Sequence, residues 1–293
     1  MKGWLLGNQF LRETRFCALY DRLLSAAERR NVALCYKTNA EVLANFPKLL
    51  ESEHPDFVIF WDKDEVLAWM LESKGLRLFN SARAITDCDN KALTYARLLA
   101  TGIPTPQTIP APVTYERVGY TDFTFLEHVG EILGFPMIVK ECYGSFGAQV
   151  YLVHDLSECR KLLSEKAGTP MLFQKFLSHT AGRDVRIYMV GGEMAAAIER
   201  KNPSDFRANV AAGGQAAAYR PNTQEAAIAR AACICLHLDF GGVDLLWDER
   251  GRPLVCEVNS NAHFQGIADA TGVHVEEWIL DWILHAVKTG KTV

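Results

Sequence analysis

The chain has 293 residues, with 31 Lys and Arg against 35 Asp and Glu and a formal net charge of −4. With 49% hydrophobic and 23% charged residues it has the composition of a soluble globular protein, long enough for two domains, and wholesale disorder is excluded. A mildly acidic chain with no long Lys/Arg run argues against nucleic acid as its partner, and no apolar run approaches the ~18 residues of a membrane span. The apolar run at residues 4–6 is too short for a secretory leader, so a cytoplasmic protein is expected. Eight cysteines show no C-x-x-C pair and no zinc spacing. Most, such as Cys35 and Cys256, stand in apolar segments and read as reduced structural thiols.

Strand and helix signals alternate over the first 80 residues. Residues 2–6 read as a strand, and the spacing of Phe16, Leu19, Tyr20, Leu23, Leu24 and Ala27 as a helix. A buried strand is expected at 32–36 and a helix at 40–50. The apolar run 57–61 is the clearest strand; a helix over 65–73, ended by Gly75, and a short strand to Phe79 follow. This alternation predicts an α/β unit with a parallel, doubly wound sheet. A helix near 90–99 stops at Gly102, and the proline-rich stretch 104–112 reads as a linker. Beyond it the pattern turns antiparallel. Strands at 136–140 and 149–153 flank a glycine turn, and a helix over 157–165 leads to a strand at 171–176. Strands at 185–190 and 193–200 flank Gly191-Gly192, a hairpin signal. A helix over 224–238, a hairpin over 243–258 and an amphipathic helix over 275–287 complete an α+β region.

The hairpin at 243–258 carries the most chemistry. If its turn centres on Arg250-Gly251, facing residues have numbers summing to 501, which sets Asp244 opposite Glu257 with Cβ atoms about 5 Å apart. Asn259 shares the face of Glu257, and Leu246 and Val255 fall on it too. Two carboxylates forced together among apolar residues repel and are costly to desolvate. A hard divalent cation such as Mg²⁺ removes that cost and leaves positions for phosphate oxygens. The other reading is a sheet with its polar face in water, against which Leu246 and Val255 speak.

Phosphates in turn need cations and backbone N–H groups. Lys140 ends an apolar strand just before the glycine turn, where the backbone can approach an anion closely. Lys91 opens a helix. A denser group runs from Arg183, Asp184 and Arg186 through Arg200, Lys201, Asp205, Arg207 and Asn209. Arg186 and Arg200 lie on the strands flanking Gly191-Gly192 and can converge on one anion. No Ser-His-Asp or Cys-His constellation is visible.

The motifs follow a fixed order. Asn90-Lys91 precedes Gly102-Ile103-Pro104-Thr105-Pro106, and Phe135-Pro136-Met137-Ile138-Val139-Lys140 precedes Gly144-Ser145-Phe146-Gly147. Gln174-Lys175-Phe176-Leu177, Gly182-Arg183-Asp184-Val185-Arg186, Ala197-Ile198-Glu199-Arg200 and Asp205-Phe206-Arg207-Ala208-Asn209 come next. Gly242-Val243-Asp244 and Glu257-Val258-Asn259 close the set. From about residue 86 to 272 the chain thereby resembles the ATP-grasp superfamily, most closely the RimK-like branch of ribosomal protein S6 modification enzymes and α-L-glutamate ligases.

The resemblance implies an ATP-dependent, ADP-forming carboxylate–amine ligase that works through an acyl phosphate. It implies an N-terminal α/β pre-ATP-grasp domain over 1–85 and an ATP-grasp domain over 86–293, with a lid at about 110–176 and a C-terminal part at about 177–293. Asp244, Glu257 and Asn259 would hold two Mg²⁺ ions, or Mn²⁺. Lys91 and Lys140 would contact ATP phosphates, with Gly144, Ser145 and Gly147 in a loop closing over them. Gln174, Lys175, Phe176 and Leu177 would form the hinge beside adenine, above a floor at Leu246. Asp184 would lie at the nucleotide; Arg186, Arg200, Arg207 and Asn209 would face the γ-phosphate and the acyl phosphate. The partners implied are ATP, an amino acid and a carboxylate acceptor, which is a small molecule, a peptide or a protein C-terminus, in a homodimer or homotetramer.

Two departures from the branch stand out. Its hinge usually reads Gln-Glu, where this chain has Gln174-Lys175. After Glu-Val-Asn it usually continues Ser-Pro-Gly-Leu-Glu-Gly, where this chain has Ser260-Asn261-Ala262-His263-Phe264-Gln265-Gly266, which puts glutamate as the added residue in doubt. Asn261 and His263 are candidate substrate contacts; a loop histidine bonded to backbone is the alternative. A nucleotide-binding regulatory protein without ligation and a small-molecule kinase are the rival functions.

Overall fold

A computed structural model describes residues 1–11, 13–46, 48–145, 147–209 and 213–293. The N-terminal apolar runs form strands β1 (Lys2–Gly7), β2 (Ala33–Thr38), β3 (Phe57–Phe60) and β4 (Leu78–Phe79), paired in parallel in the order β2-β1-β3-β4. Leu5, Leu6, Val58, Ile59 and Phe60 are fully buried, as in strands covered on both faces. Helices α1 (Thr14–Arg29), α2 (Asn39–Asn45), α3 (Lys48–Ser52) and α4 (Glu65–Ser73) connect them. Two expectations change here. The strand read as buried at 32–36 is the sheet edge, with Ala33, Cys35 and Tyr36 exposed; a short apolar run does not tell an edge from a centre. The helix expected over 40–50 is two helices, because Phe46 takes an extended backbone (φ −71°, ψ 131°), as residues before proline prefer. Pro47 itself lies outside the described residues.

After α5 (Ala82–Asp89) and α6 (Lys91–Ala100), the stretch read as a linker holds β5 (Thr108–Pro110). This strand pairs antiparallel with β8 (Met171–Lys175) at the edge of a sheet ordered β5-β8-β6-β7, an edge position that tolerates its proline. β6 (Met137–Glu141) and β7 (Val150–Val153) are the expected pair around the glycine turn. Helices α7 (Thr124–Leu133) and α8 (Leu156–Glu165) bury Leu126, Val129, Leu133 and Leu163 against Met137, Val139 and Phe173, a core belonging to this sheet alone.

The third sheet is antiparallel in the order β11-β10-β9-β12-β13. Its strands are β9 (Arg183–Val190), β10 (Glu193–Lys201), β11 (Gln215–Ala218), β12 (Phe240–Trp247) and β13 (Pro253–Asn259). α9 (Thr223–Cys235) covers one face with Ala229, Ala232 and Cys233 over Val185, Ile187, Val243 and Leu245. On the other side α10 (Gln265–Thr271) and α11 (Val275–Thr289) join α1 in one cluster that holds Leu19, Leu23, Phe240, Phe264, Ile279 and Ile283. The first and third sheets therefore share a core, and Arg22 seals it with an ion pair to the buried Glu276 (2.8 Å). All eight cysteines are free; Cys17 and Cys35 are exposed and so are not the core thiols the sequence suggested. Among the described residues no helix is long and apolar enough to cross a membrane.

Candidate active site

Strand register lays charged residues side by side on one face of the third sheet. Asp184 on β9 faces Arg200 on β10, Arg186 faces Asp244 on β12, and Asp244 faces Glu257 on β13. Arg186 grips Asp244 through Nε–Oδ1 and Nη2–Oδ2, both 2.7 Å. Arg200 donates to Asp184 through Nε (2.7 Å) and Nη2 (2.6 Å), and its Nη2 also stands 2.9 Å from Asp244 Oδ2. Arg186 and Arg200 do converge on one anion, and here that anion is Asp244. Burial pushes the Asp244 carboxyl up, but Arg186 and Arg200 outweigh it and hold the group at about 2. Asp184 goes the other way: burial and the neighbouring Asp244 raise it, against the pull of Arg200. Burial works against the Arg200 guanidinium, and Asp244 and Asp184 hold it protonated more firmly than usual. Two cations and two anions in one buried row are mutually compensating, so removing any one strands a charge.

The expected pairing of Asp244 with Glu257 is present, but the hairpin reaches it differently. Beyond Asp244 the register shifts, so that Leu245 pairs with Val255 and Leu246 with Leu254. The turn closes on Asp248–Arg252, where Asp248 N donates to Arg252 O (3.0 Å). One extra residue in β13, Cys256, then restores the sum of 501 at Asp244–Glu257. The bulge corrects the placement of Val255, which packs into the α9 core with Val243 and Leu245 instead of sharing the face of the acids. The thiol of Cys256, expected to be a structural filler, lines a cavity within 3.6 Å of Lys140 Nζ.

That cavity lies between the second and third sheets and gathers most of the residues singled out from sequence. Lys140 (8% exposed) and Lys91 stand on one side; Lys91 Nζ donates to Gly144 O (2.9 Å) and lies 3.7 Å from Glu257 Oε1. Gln174, Lys175, Phe176 and Leu177 form a wall. The Gln174 amide donates to Thr108 Oγ1 (2.9 Å), and the Phe176 ring meets Phe206 edge-on at 6.3 Å. Leu246 lies in the floor beside Asp244. Arg207 is held by Asp205 (Nη2–Oδ2 2.7 Å) and donates Nη1 to Gly147 O (2.9 Å), tying the glycine turn down. Gly147 sits at φ 76°, and a Cβ there would stand 3.1 Å from Asn209 Oδ1, so the turn needs a glycine. Phe146 of this turn lies outside the described residues.

A second cavity opens beside the first and shares Ser145, Arg200, Asn209 and Glu257 with it. Asn259, Asn261 and His263 line this second cavity and not the first. The imidazole of His263 meets Phe16 edge-on at 4.7 Å; burial, then the charges of Arg15 and Arg186, hold it down at about 4, so it is neutral at pH 7. Asn261 donates Nδ2 to Asp62 O (2.8 Å). Asn259 Nδ2 and Asn261 Oδ1 are buried without a hydrogen-bond partner. Arg15 and Lys63, which sequence reasoning passed over, also line this cavity. Lys63 carried a usable signal, since it follows the C-terminal end of a parallel strand, where doubly wound sheets bind ligands.

Among the described residues no cluster of three or more His, Cys, Asp or Glu is placed to hold a metal. The candidate set Asp244, Glu257 and Asn259 offers oxygen donors from two carboxylates, facing each other across the β12–β13 pair, and an amide; the unpartnered atom of Asn259 is its Nδ2, a donor suited to an anionic oxygen rather than to the cation. Such a set suits a hard divalent cation whose remaining positions are filled by phosphate or water.

The RimK-like ATP-grasp domain family matches residues 88–283. An uncharacterized protein MG012 homolog from Mycoplasma pneumoniae is 32% identical over 82% of this chain and 84% of its own length. Human beta-citrylglutamate synthase B is 30% identical over 92% of this chain and 69% of its own. Among solved structures, D-alanine–D-alanine ligase from Bacillus anthracis superposes with a TM-score of 0.77 at 19% identity, covering 98% of this chain and 97% of that one. The parallel N-terminal sheet, the two antiparallel sheets and the motif order are thus those of an ATP-grasp protein, and this chain belongs to the RimK-like ATP-grasp family of carbon–nitrogen ligases.

Proposed function

We propose that the chain joins an amino acid to a carboxylate acceptor at the expense of ATP, releasing ADP and phosphate. The observation that carries this reading is the row Arg200, Asp184, Arg186, Asp244 and Glu257, set by strand register; all but Arg186, which lines the second cavity, face one cavity with Lys91 and Lys140. Phosphoryl transfer needs positioning and charge neutralisation more than a protein nucleophile, and this row supplies both. Adenine would lie against Gln174–Leu177 over Leu246, and the phosphates would run toward Lys140, Lys91 and the glycine turn. Asp244, Glu257 and Asn259 would hold Mg²⁺, which when bound offsets charge on the phosphates. Arg186 and Arg200, which grip Asp244 here, would turn to the phosphate oxygens and so free the Asp244 carboxylate for the cation.

A carboxylate oxygen of the acceptor attacks the γ-phosphorus, the bond to the ADP oxygen breaks, and an acyl phosphate forms. The amine nitrogen then attacks the acyl carbon, the carbon–oxygen bond breaks and phosphate leaves. The amine gives up its proton to water or to the departing phosphate. Arg186, Arg200, Arg207 and Asn209 would steady the charge that gathers on the phosphoryl oxygens in both steps. Residues 110–176, with their own core, would act as the lid.

ADP release, with the full amino-acid set against a panel of carboxylates and followed by product mass, tests this reading. Turnover is expected only when both substrates are present, and Glu257→Ala should lower it at least about 100-fold with an unchanged melting temperature. Full activity in Glu257→Ala, a stable phosphate ester, or ATP binding without turnover across the panel would each overturn it.

A further inference from the structure

The second cavity offers about 330 Å³, room for a small organic molecule, and only part of its wall belongs to the third sheet. Its other wall is built by Arg15 on α1, Lys63 in the loop after β3 and Cys88 and Asp89 on α5, and there one residue is fixed at its backbone and adaptable at its tip. Lys63 N donates to Asp62 Oδ1 (2.7 Å), and Asp62 Oδ1 also accepts from Asn8 Nδ2 (3.2 Å). The Asp62 carbonyl accepts from Asn261 Nδ2, so the segment carrying Lys63 is pinned to the loop that carries His263. The next residue, Asp64, caps α4 by accepting from Leu67 N (3.0 Å). The ammonium reaches from this anchored base to Asp89 and to Ser145 Oγ (3.3 Å) in the glycine turn. Ser145 is one of the four residues shared by the two cavities, so Lys63 Nζ stands where a terminal phosphate and an acceptor would meet.

We propose that Lys63 is a substrate-binding residue that grips the carboxylate of the acceptor at this junction, an assignment that rests on the ligase reading of the first cavity. The Lys63 side chain is 38% exposed, so its ammonium can turn from Asp89 toward a substrate carboxylate in the cavity, while Asp89, 12% exposed, holds it at the cavity wall otherwise. Arg186 and Arg200 are given to Asp244 and Asp184 here and to the phosphate oxygens in the ligase reading, whereas Lys63 reaches the junction from the opposite wall through Ser145. The contact with Ser145 lets the same ammonium sense the glycine turn.

Calorimetric titration of the full chain loaded with Mg²⁺ and AMPPNP tests this, with acetate, succinate, glutarate and tricarballylate as probes and butyramide as the neutral control. Lys63→Met should weaken carboxylate binding at least about tenfold and leave AMPPNP affinity within about twofold, while Lys63→Arg keeps most of it. Asp89→Asn separates binding from architecture, because it breaks the same ion pair yet frees the ammonium. Carboxylates should bind that variant as tightly as wild type or more so. Equal carboxylate binding by wild type and Lys63→Met, equal weakening in Lys63→Met and Asp89→Asn, or no carboxylate bound by the wild-type complex each overturns the assignment while AMPPNP binding stands. Failure of the wild-type chain to bind AMPPNP overturns the ligase reading itself and this assignment with it.

Discussion

Buried charges set the character of this molecule residue by residue, and Asp239 shows their effect apart from the active site. It is 8% exposed and accepts from Trp282 Nε1 (2.8 Å). Burial holds its carboxyl up at about 6, although the Trp282 bond and the charge of Arg77 pull it down. In the unfolded chain the same group titrates near ~3.9, so between about pH 4 and 6 the folded protein binds the proton more tightly. Stability therefore falls as pH rises through that window, and above it the ionised group costs the fold up to about 3 kcal/mol. Asp239→Asn keeps an oxygen for Trp282 and removes the charge. It should raise the melting temperature at pH 7.5 and leave it nearly unchanged at pH 4; equal shifts at both would refute this account. The facing of Asp244 and Glu257 was legible in the sequence because alternation and a turn fix which residues face one another. Arg15 was not, since only tertiary structure brings it to the second cavity, and Lys63 was marked only by its place after a parallel strand.

At the level of elements, legibility followed the strength of the end signals. The α4 helix lies at the residues expected because Asp64 caps it and Gly75 (φ 82°) follows its end. The α5 and α7 helices were missed. β11, Gln-Ala-Ala-Ala, is built of helix formers yet runs as an edge strand on β10, a case of pairing overriding propensity. The β12–β13 hairpin is more instructive, since the turn was placed half a residue off and the bulge at Cys256 compensated. Hairpin β9–β10 depends on Gly191-Gly192, at φ 59° and 80°. A Cβ on Gly191 would run into the indole of Trp282, so Gly191→Ala combines backbone strain with a clash in the core. It should destabilise by about 2–4 kcal/mol, against about 1 kcal/mol for Gly75→Ala, where the same strain meets open space. Urea midpoints compare the two, and equal losses would mean that the Trp282 contact is soft.

Across the whole molecule, the first and third sheets behave as one body because they share a core, while the second sheet carries its own. A cavity between the second and third sheets thus lies at the seam between two separate cores, whereas the second cavity is walled largely by the fused pair. Asn80 is the polar centre of that fusion. It is fully buried after β4, and its Oδ1 accepts from Asp239 N (2.8 Å) and Phe240 N (3.2 Å). Its Nδ2 donates to Phe240 O (2.8 Å) and to Ser260 O (3.0 Å), so all four capacities of the amide are used. Through Ser260 the side chain holds the loop of Asn261 and His263 against the N-terminal sheet. Asn80→Ala leaves several backbone groups buried without partners and should cost about 3–5 kcal/mol. Asn80→Asp keeps the size but loses donors, and should cost a similar amount at neutral pH. In whichever variant remains folded at 15 °C, carboxylate affinity should fall more than AMPPNP affinity, because the loop lines the second cavity and not the first. Parallel losses of both ligands would show instead that the seam, and with it the first cavity, depends on the same clasp.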